Sequence, residues 1–257
     1  MPKVINVKAP NGGNLIFLGQ SLNDTLIAGD GIQTLYGNAG DDLLVGGTGN
    51  QFLYGGSGND TIVAGNGNQY LDGGSGYDVL DFSKLPGKLN IDQDLHFAQI
   101  LDAATGAVVF TNTVFSFNKI IGSDFGNDFH AAANTSNTYV GGASADIYRS
   151  ENGGDTVTGG GGADTFGWFR KYAEAGHADR IADFQVGVDK LDLSDFLKGQ
   201  TIKAPTYNDV IHLSDTLDAN GQHATLVQGL VNGAWADIAV LDGLDVTHVT
   251  VSDLARI

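Results

Sequence analysis

Gly55-Gly56-Ser57-Gly58-Asn59-Asp60-Thr61-Ile62-Val63 is one beat of a nine-residue clock that runs from Asn23 to Phe82. The sixth position of the unit alternates between Asp24, Gln33, Asp42, Gln51, Asp60, Gln69 and Asp78. The eighth is always aliphatic, at Leu26, Leu35, Leu44, Leu53, Ile62, Leu71 and Leu80. The first six residues read as a turn and the last three as a short strand. Glycine lets the turn curl through positive φ. In the strand, side chains alternate, so Ile62 points inward while Thr61 and Val63 point out. Two units close one coil, and every second unit returns to the same edge. Asp24, Asp42, Asp60 and Asp78 then stack about 4.8 Å apart on one edge, and Gln33, Gln51 and Gln69 stack on the other.

A column of ionised carboxylates repels itself. At ~5 Å each neighbouring pair costs roughly 1 kcal/mol even at the dielectric of water. A hard cation between rungs removes that cost, and calcium takes six to eight oxygens from carboxylates and carbonyls. The pattern predicts metal between Asp24 and Asp42, Asp42 and Asp60, and Asp60 and Asp78. Carbonyls of the turn glycines Gly37, Gly40, Gly55, Gly58, Gly73 and Gly76 are the expected co-ligands. Glutamine lacks the charge, and a Gln column can instead bond amide to amide. A metal-free solenoid with polar turns is the alternative, but it needs no acid on every second rung.

These units resemble the RTX (hemolysin-type calcium-binding) family, as in serralysin C-terminal domains and the R modules of mannuronan epimerases. The resemblance covers most of the chain. A second array follows Gly122-Ser123-Asp124-Phe125-Gly126-Asn127-Asp128. A nine-residue step from Asp128 reaches Asn137, Asp146, Asp155 and Asp164, with His130, Tyr139, Tyr148, Val157 and Phe166 expected inward. Asp128, Asp146 and Asp164 share one edge, the better calcium edge. Asn137 and Asp155 share the other. The segments Ala178-Asp179-Arg180-Ile181-Ala182-Asp183-Phe184 and Gly187-Val188-Asp189-Lys190-Leu191-Asp192 look like the stretch that closes RTX rolls. By that resemblance Asp179, Asp183, Asp189 and Asp192 are metal candidates; an acidic, solvated turn is the alternative.

The implied fold is all-β: a right-handed parallel β-roll (RTX solenoid) of two arrays joined by a β spacer, with a β-rich C-terminal cap. The expected parts are a first array with an N-terminal cap (1–82), a spacer (83–121), a second array (122–170) and a roll-closing C-terminal region (171–257). In the spacer, Leu89–Asp92 and Ala107–Phe110 read as strands around a turn at Ala104-Thr105-Gly106. Turns at Asn220-Gly221 and Asp242-Gly243 punctuate a β-rich Thr201–Val251.

The net charge is −17, and no Lys or Arg lies between Lys8 and Lys84. Such a chain does not bind nucleic acid by charge, and it has no basic amphipathic stretch for anionic membranes. No run is long and apolar enough to span a bilayer. About six calcium ions would offset much of the charge. Without them, repulsion and glycine entropy should leave the arrays largely unfolded, so folding awaits a calcium-rich exterior. Cysteine is absent, and Met1–Pro10 lacks a signal-peptide h-region. The resemblance implies type I secretion through a C-terminal signal, for which Val249–Ile257 is the candidate, and a secreted, extracellular protein that can be cell-surface associated.

No HExxH occurs among the six histidines. Gly19-Gln20-Ser21-Leu22-Asn23 is a poor nucleophile elbow, because Asn23 replaces the last glycine and the segment keeps the repeat's time. The expectation is therefore no enzyme. The protein reads as a secreted RTX calcium-binding module acting in structure, adhesion or a matrix. The alternative is an extracellular glycan- or protein-binding accessory, or the non-catalytic tail of a secreted hydrolase, lyase or epimerase. Outward rows of Thr34, Phe52 and Tyr70, and of Tyr36, Tyr54 and Asp72, offer an aromatic face for such a partner. The spacer or C-terminal region covering that face is the other reading.

Overall fold

The computed structural model describes residues 4–6, 13–151, 153–169, 177–198, 211–249 and 253–255. They fall into two compact units, Met1–Gly126 and Asn127–Ile257.

The first unit alternates strands between two sheets. These are β1 (Val4–Asn6), β2 (Leu15–Leu18), β3 (Thr25–Ile27), β4 (Gln33–Ala39), β5 (Leu43–Val45), β6 (Gln51–Ser57), β7 (Thr61–Val63), β8 (Tyr70–Ser75) and β9 (Val79–Asp81). One sheet runs β1-β3-β5-β7-β9 and the other β2-β4-β6-β8, all parallel. Pairing is in 18-residue register: Leu26, Leu44, Ile62 and Leu80 line up, and so do Leu35, Leu53 and Leu71. All seven are fully buried. Each contributes roughly 1.5–3 kcal/mol of burial, which one unit alone could not obtain. This is a parallel β-roll.

The two sheets differ in length. Strands after an aspartate are three residues, as the nine-residue unit suggests, but β4 and β6 run seven. The glycine turn after the Gln-side strand stays paired, with Asn38 opposite Gly56 and Ala39 opposite Ser57.

The stretch after Phe82 forms β10 (Lys88–Asp92), β11 (Phe97–Leu101), β12 (Val108–Phe115) and β13 (Lys119–Ile121). The turn at Ala104–Gly106 joins β11 to β12, not β10 to β12. The sequence reading overlooked β11, whose alternation is interrupted by the small Ala98. β10-β11-β12 is an antiparallel meander, and β12 then pairs parallel with β8 while β13 pairs parallel with β9. The spacer thus returns to complete one more coil.

Outside the Gln-side sheet, Tyr36, Tyr54, Tyr70, Phe115 and His96 make a continuous ring ladder. Successive centroids are 4.9, 5.4, 5.4 and 4.5 Å apart. Tyr36 and Tyr54 are within 9° of parallel. That pair stacks face to face, while the other contacts of the ladder are tilted by 35–41°. The spacer supplies two rungs of the ladder; Tyr36 and Phe52 remain exposed.

The second unit contains β14 (Asn127–His130), β15 (Thr138–Val140), β16 (Ile147–Ser150), β17 (Thr156–Thr158), β18 (Thr165–Trp168), β19 (Asp179–Ile181), β20 (Lys190–Asp192), the short helix α1 (Ser194–Leu197), β21 (Ile211–Leu217), β22 (His223–Val231), β23 (Ala234–Asp242) and β24 (Leu254–Ala255). β14-β16-β18-β20-β24 pair in parallel. β15-β17-β19 do likewise, and β23 then adds parallel to β19 and leads the antiparallel meander β23-β22-β21. Asn220-Gly221 lies in the β21–β22 turn, and Gly243 follows β23. The β22–β23 turn is Asn232-Gly233, both at positive φ (52° and 82°), a pair the sequence reading passed over.

The inward set differs from the expectation at its first position. Phe129 pairs with Tyr148 and is buried, whereas His130 pairs with Arg149 on the outer face. The step from Asn127 to Asp146 is one residue longer than two repeats, absorbed before β15 where Asn134 takes φ 58°. Tyr139, Tyr148, Val157 and Phe166 are inward and buried. Part of Val249–Ile257 and all of Thr201–Val210 lie outside the described residues.

Candidate metal centre

Asp24, Asp42, Asp60 and Asp78 stand in one column and are almost wholly buried. Each strand start positions the next. The backbone N–H of Asp24 donates to Oδ1 of Asp42 (2.7 Å), Asp42 to Oδ1 of Asp60 (2.8 Å), and Asp60 to Oδ1 of Asp78 (2.8 Å). The Asp78 N–H donates to Oδ1 of Asn118 (2.8 Å), so the spacer ends the column with a neutral rung.

One oxygen of each carboxylate is therefore held by the backbone. The other, Oδ2 of Asp42, Asp60 and Asp78, is buried with no hydrogen-bond partner. Oδ2 of Asp42 and of Asp60 each face a glycine. A Cβ built at Gly55 would lie 2.4 Å from Asp60 Oδ2 and 2.4 Å from the Gly73 carbonyl oxygen. At Gly37 the distances are 2.4 Å to Asp42 Oδ2 and 2.5 Å to the Gly55 oxygen. Gly73 has the Ser116 oxygen at 2.2 Å and the Asp78 side chain behind it. Gly40, Gly58 and Gly76 do something else. They sit at φ 116°, 125° and 139° and stack on one another, with the Gly40 and Gly58 oxygens facing the next glycine of the stack.

A buried carboxylate oxygen without a donor is costly as an anion. Burial, with the charges of Asp42 and Asp78 adding, pushes the Asp60 carboxyl up to about 6, although the Asp42 N–H opposes the shift. Burial likewise raises Asp42 and Asp78. Bare oxygens, adjacent carbonyls and excluded side-chain volume suit a hard cation that takes oxygen ligands. No group of three or more His, Cys, Asp or Glu side chains converges among the described residues, so a cation here must draw on backbone carbonyls too.

The three glutamines of the other edge are hydrogen-bonded within the roll, and Nδ2 of Asn112, which ends that column, is buried without a partner. Gln69 Nε2 donates to Gln51 Oε1, and Gln51 Nε2 donates to the oxygens of Gly31 and Gly29. Gln33 Nε2 donates to the Asp30 oxygen, while Gly29 and Gly65 N–H donate to Oε1 of Gln33 and Gln69. Asn112 caps this column as Asn118 caps the other, its Oδ1 accepting the Gln69 N–H at 2.9 Å. Neither asparagine was singled out in the sequence, though Asn118 precedes Lys119-Ile120 as each column aspartate precedes its strand.

In the second unit the column is Asn127, Asp146, Asp164 and Asp189, linked by the same N–H to Oδ1 bonds of 2.6, 2.8 and 3.0 Å. Asp164 Oδ2 is the orphan here, beside Gly159, and burial carries its carboxyl up to about 7. Asp128 stands one residue off the column, on the outer face, paired with Arg149. On the opposite edge, Asp155 and Asp179 follow Asn137. Their second oxygens have protein donors: Tyr148 Oη to Asp155 and Trp168 Nε1 to Asp179, each 2.6 Å. Asp183 accepts the N–H groups of Gly159 and Gly160, and Asp192 accepts that of Ser194.

Ser21 lies in an exposed turn between β2 and β3. No helix among the described residues is long and apolar enough to cross a membrane.

Comparison with known families agrees with this geometry. Residues 18–50 and 45–80 match the RTX calcium-binding nonapeptide repeat, and residues 74–233 match the peptidase M10 serralysin C-terminal family. No curated protein matches. Among solved structures, the extracellular lipase LipA from Serratia marcescens aligns over 97% of this chain at 14% identity, with a TM-score of 0.25. The chain spans 41% of that lipase's length, and so low a score carries no argument. The chain belongs to the serralysin C-terminal family of calcium-binding, secreted-type modules, and its first unit is built of RTX nonapeptide repeats.

Proposed function

We propose that the chain is an extracellular structural, adhesive or matrix-associated module whose rolls fold on calcium met outside the cell. The three orphaned Oδ2 atoms of Asp42, Asp60 and Asp78, on one edge only and the first two each facing a glycine, carry this reading. The residues that would hold calcium are Asp24, Asp42, Asp60 and Asp78, with carbonyls of Gly37, Gly55 and Gly73, and in the second unit Asp146, Asp164 and Asp189. Counting the gaps between carboxylate rungs gives about five ions, below the six first expected. Asp155 and Asp179 are left out of this count because their second oxygens accept from the side chains of Tyr148 and Trp168. Calcium supplies positive charge and oxygen coordination that the buried carboxylates lack. The protein's part is to align those oxygens, exclude side chains from the gap through glycine, and fix each Oδ1 with a backbone N–H. Export by type I secretion fits a chain that stays unfolded until it meets calcium.

A glycan- or protein-binding role for the aromatic face is the second reading. The exposed Ile16, Leu18, Tyr36 and Phe52 favour it. The stacking of Tyr36 on Tyr54 opposes it, since ring faces engaged with one another are not offered to sugar. No catalytic role is assigned to the roll.

The test is calcium titration of the full chain followed by far-UV circular dichroism and calorimetry. A cooperative gain of β signal, reversed by chelator, is expected. A chain already folded in chelator and indifferent to calcium would overturn the proposal.

A further inference from the structure

We propose that the outer face of β21–β23 carries an oligosaccharide-binding site made by Trp235, His212, Gln228 and Asp237. His212, Gln228 and Asp237 are in direct register across the three strands. Side chains so placed share one face of the sheet. Gln228 Nε2 donates to Oδ1 of Asp237 at 2.7 Å. That bond fixes the orientation of the amide and turns Oε1 toward His212 Nδ1, 3.1 Å away. An amide oxygen can only accept, so Nδ1 carries a proton, and in the neutral imidazole Nε2 is then the acceptor. Among the described residues, Nε2 of His212 and Oδ2 of Asp237 have no hydrogen-bond donor. Trp235 lies beside this row, 40% exposed, its ring 5.6 Å from that of His212.

The platform is stiff. Gly229, the inward neighbour of Gln228, has no room for a Cβ: the side chains of Phe196 and Ile238 would lie 2.6 Å from it. Phe196 of α1 and the inward Ile238 of β23 thus fill the space beneath the meander, and its polar row is held on the opposite side.

The chemistry of the row defines its ligand. An exposed indole wants an apolar face, and two unpartnered acceptors want donors. A pyranose has both, in its C–H face and its hydroxyls. The acceptors belong to strands two apart, about 10 Å, so one ammonium or one sugar ring does not reach both, and a ligand of two or more sugar residues does. Asp237 and the net charge of −17 disfavour acidic sugars. The site is separate from the aromatic ladder and does not depend on which residues bind calcium.

The test uses the full chain in saturating calcium, with folding checked first by circular dichroism so that failure of the calcium reading is seen on its own. Neutral oligomers of β-linked glucose and of N-acetylglucosamine are titrated by calorimetry, with a polyuronate and polylysine as controls. Binding to a neutral oligomer, weakened about tenfold or more by Trp235→Ala and by Asp237→Ala and unchanged by Tyr54→Ala, is expected. His212→Ala, a change at an exposed side chain, serves if either variant fails to fold, and should weaken binding too. Absence of binding by the folded protein, binding of polylysine alone, or loss through Tyr54→Ala with Trp235→Ala silent would each overturn the proposal.

Discussion

Asp60 and Asp42 are joined across one coil: the Asp42 N–H donates to Oδ1 of Asp60 at 2.8 Å, and Oδ2 of Asp60 is left buried without a donor. The backbone thus satisfies half of a carboxylate and aims the other half at a glycine. The orphaned oxygen recurs at Asp42 and Asp78, and it makes the roll depend on what reaches those oxygens.

Asp60→Asn keeps the Oδ1 acceptor and removes the charge from the middle of the column. The calcium midpoint for folding should rise on the order of tenfold, because two adjacent gaps each lose a charged ligand. Calcium titration followed by circular dichroism reads this directly. An unchanged midpoint would place the metal elsewhere.

Gly55→Ala should destabilise the calcium-loaded roll by about 1–3 kcal/mol or prevent its folding, since the new methyl meets Asp60 Oδ2 and the Gly73 oxygen at 2.4 Å. Gly13→Ala, with nothing within 4 Å, is the control. Urea melts of the two variants at saturating calcium should separate them clearly.

Gln69→Leu strands Gln51 Oε1 and the Gly65 N–H in the interior. The expected cost is about 1–3 kcal/mol for each group left unpaired. The number of calcium ions bound, measured by calorimetry, should stay the same. A change in that number would mean that the Gln edge takes part in binding metal.

Asp155 is pushed up to about 7, first by burial and then by the charge of Asp179. Its folded value lies above its unfolded one, so the native state holds the proton more tightly. The stabilisation is complete below the unfolded value and is lost as pH rises through about 7. Thermal melts in saturating calcium from pH about 5 to about 9 should show this decline, and Asp155→Asn should flatten it. Equal slopes for the two proteins would show that the pair is ionised throughout.

The nine-residue period, the aliphatic eighth position and the alternation of Asp with Gln were enough to read the 18-residue coil, its seven-residue aliphatic core and two chemically distinct edges. These follow from short-range rules: glycine turns, strand alternation and the stacking of equivalent positions. Asp128 was misread because a count of nine cannot register one extra residue in a loop, and only strand pairing shows that Asn127 stands above Asp146. Asn112 and Asn118 escaped notice because their partners, Gln69 and Asp78, lie about forty residues away, beyond any local pattern.

The sequence by itself determined where the repeats run and which edge gathers carboxylates, since each is a property of the unit. Only the tertiary structure decided which of those carboxylates are left wanting a cation. Asp60 and Asp155 occupy equivalent positions in their repeats and accept the same backbone N–H. Tyr148 reaches Asp155 from the neighbouring strand, and no side chain reaches Asp60 Oδ2. That difference depends on what the fold packs beside each carboxylate, which no periodicity encodes.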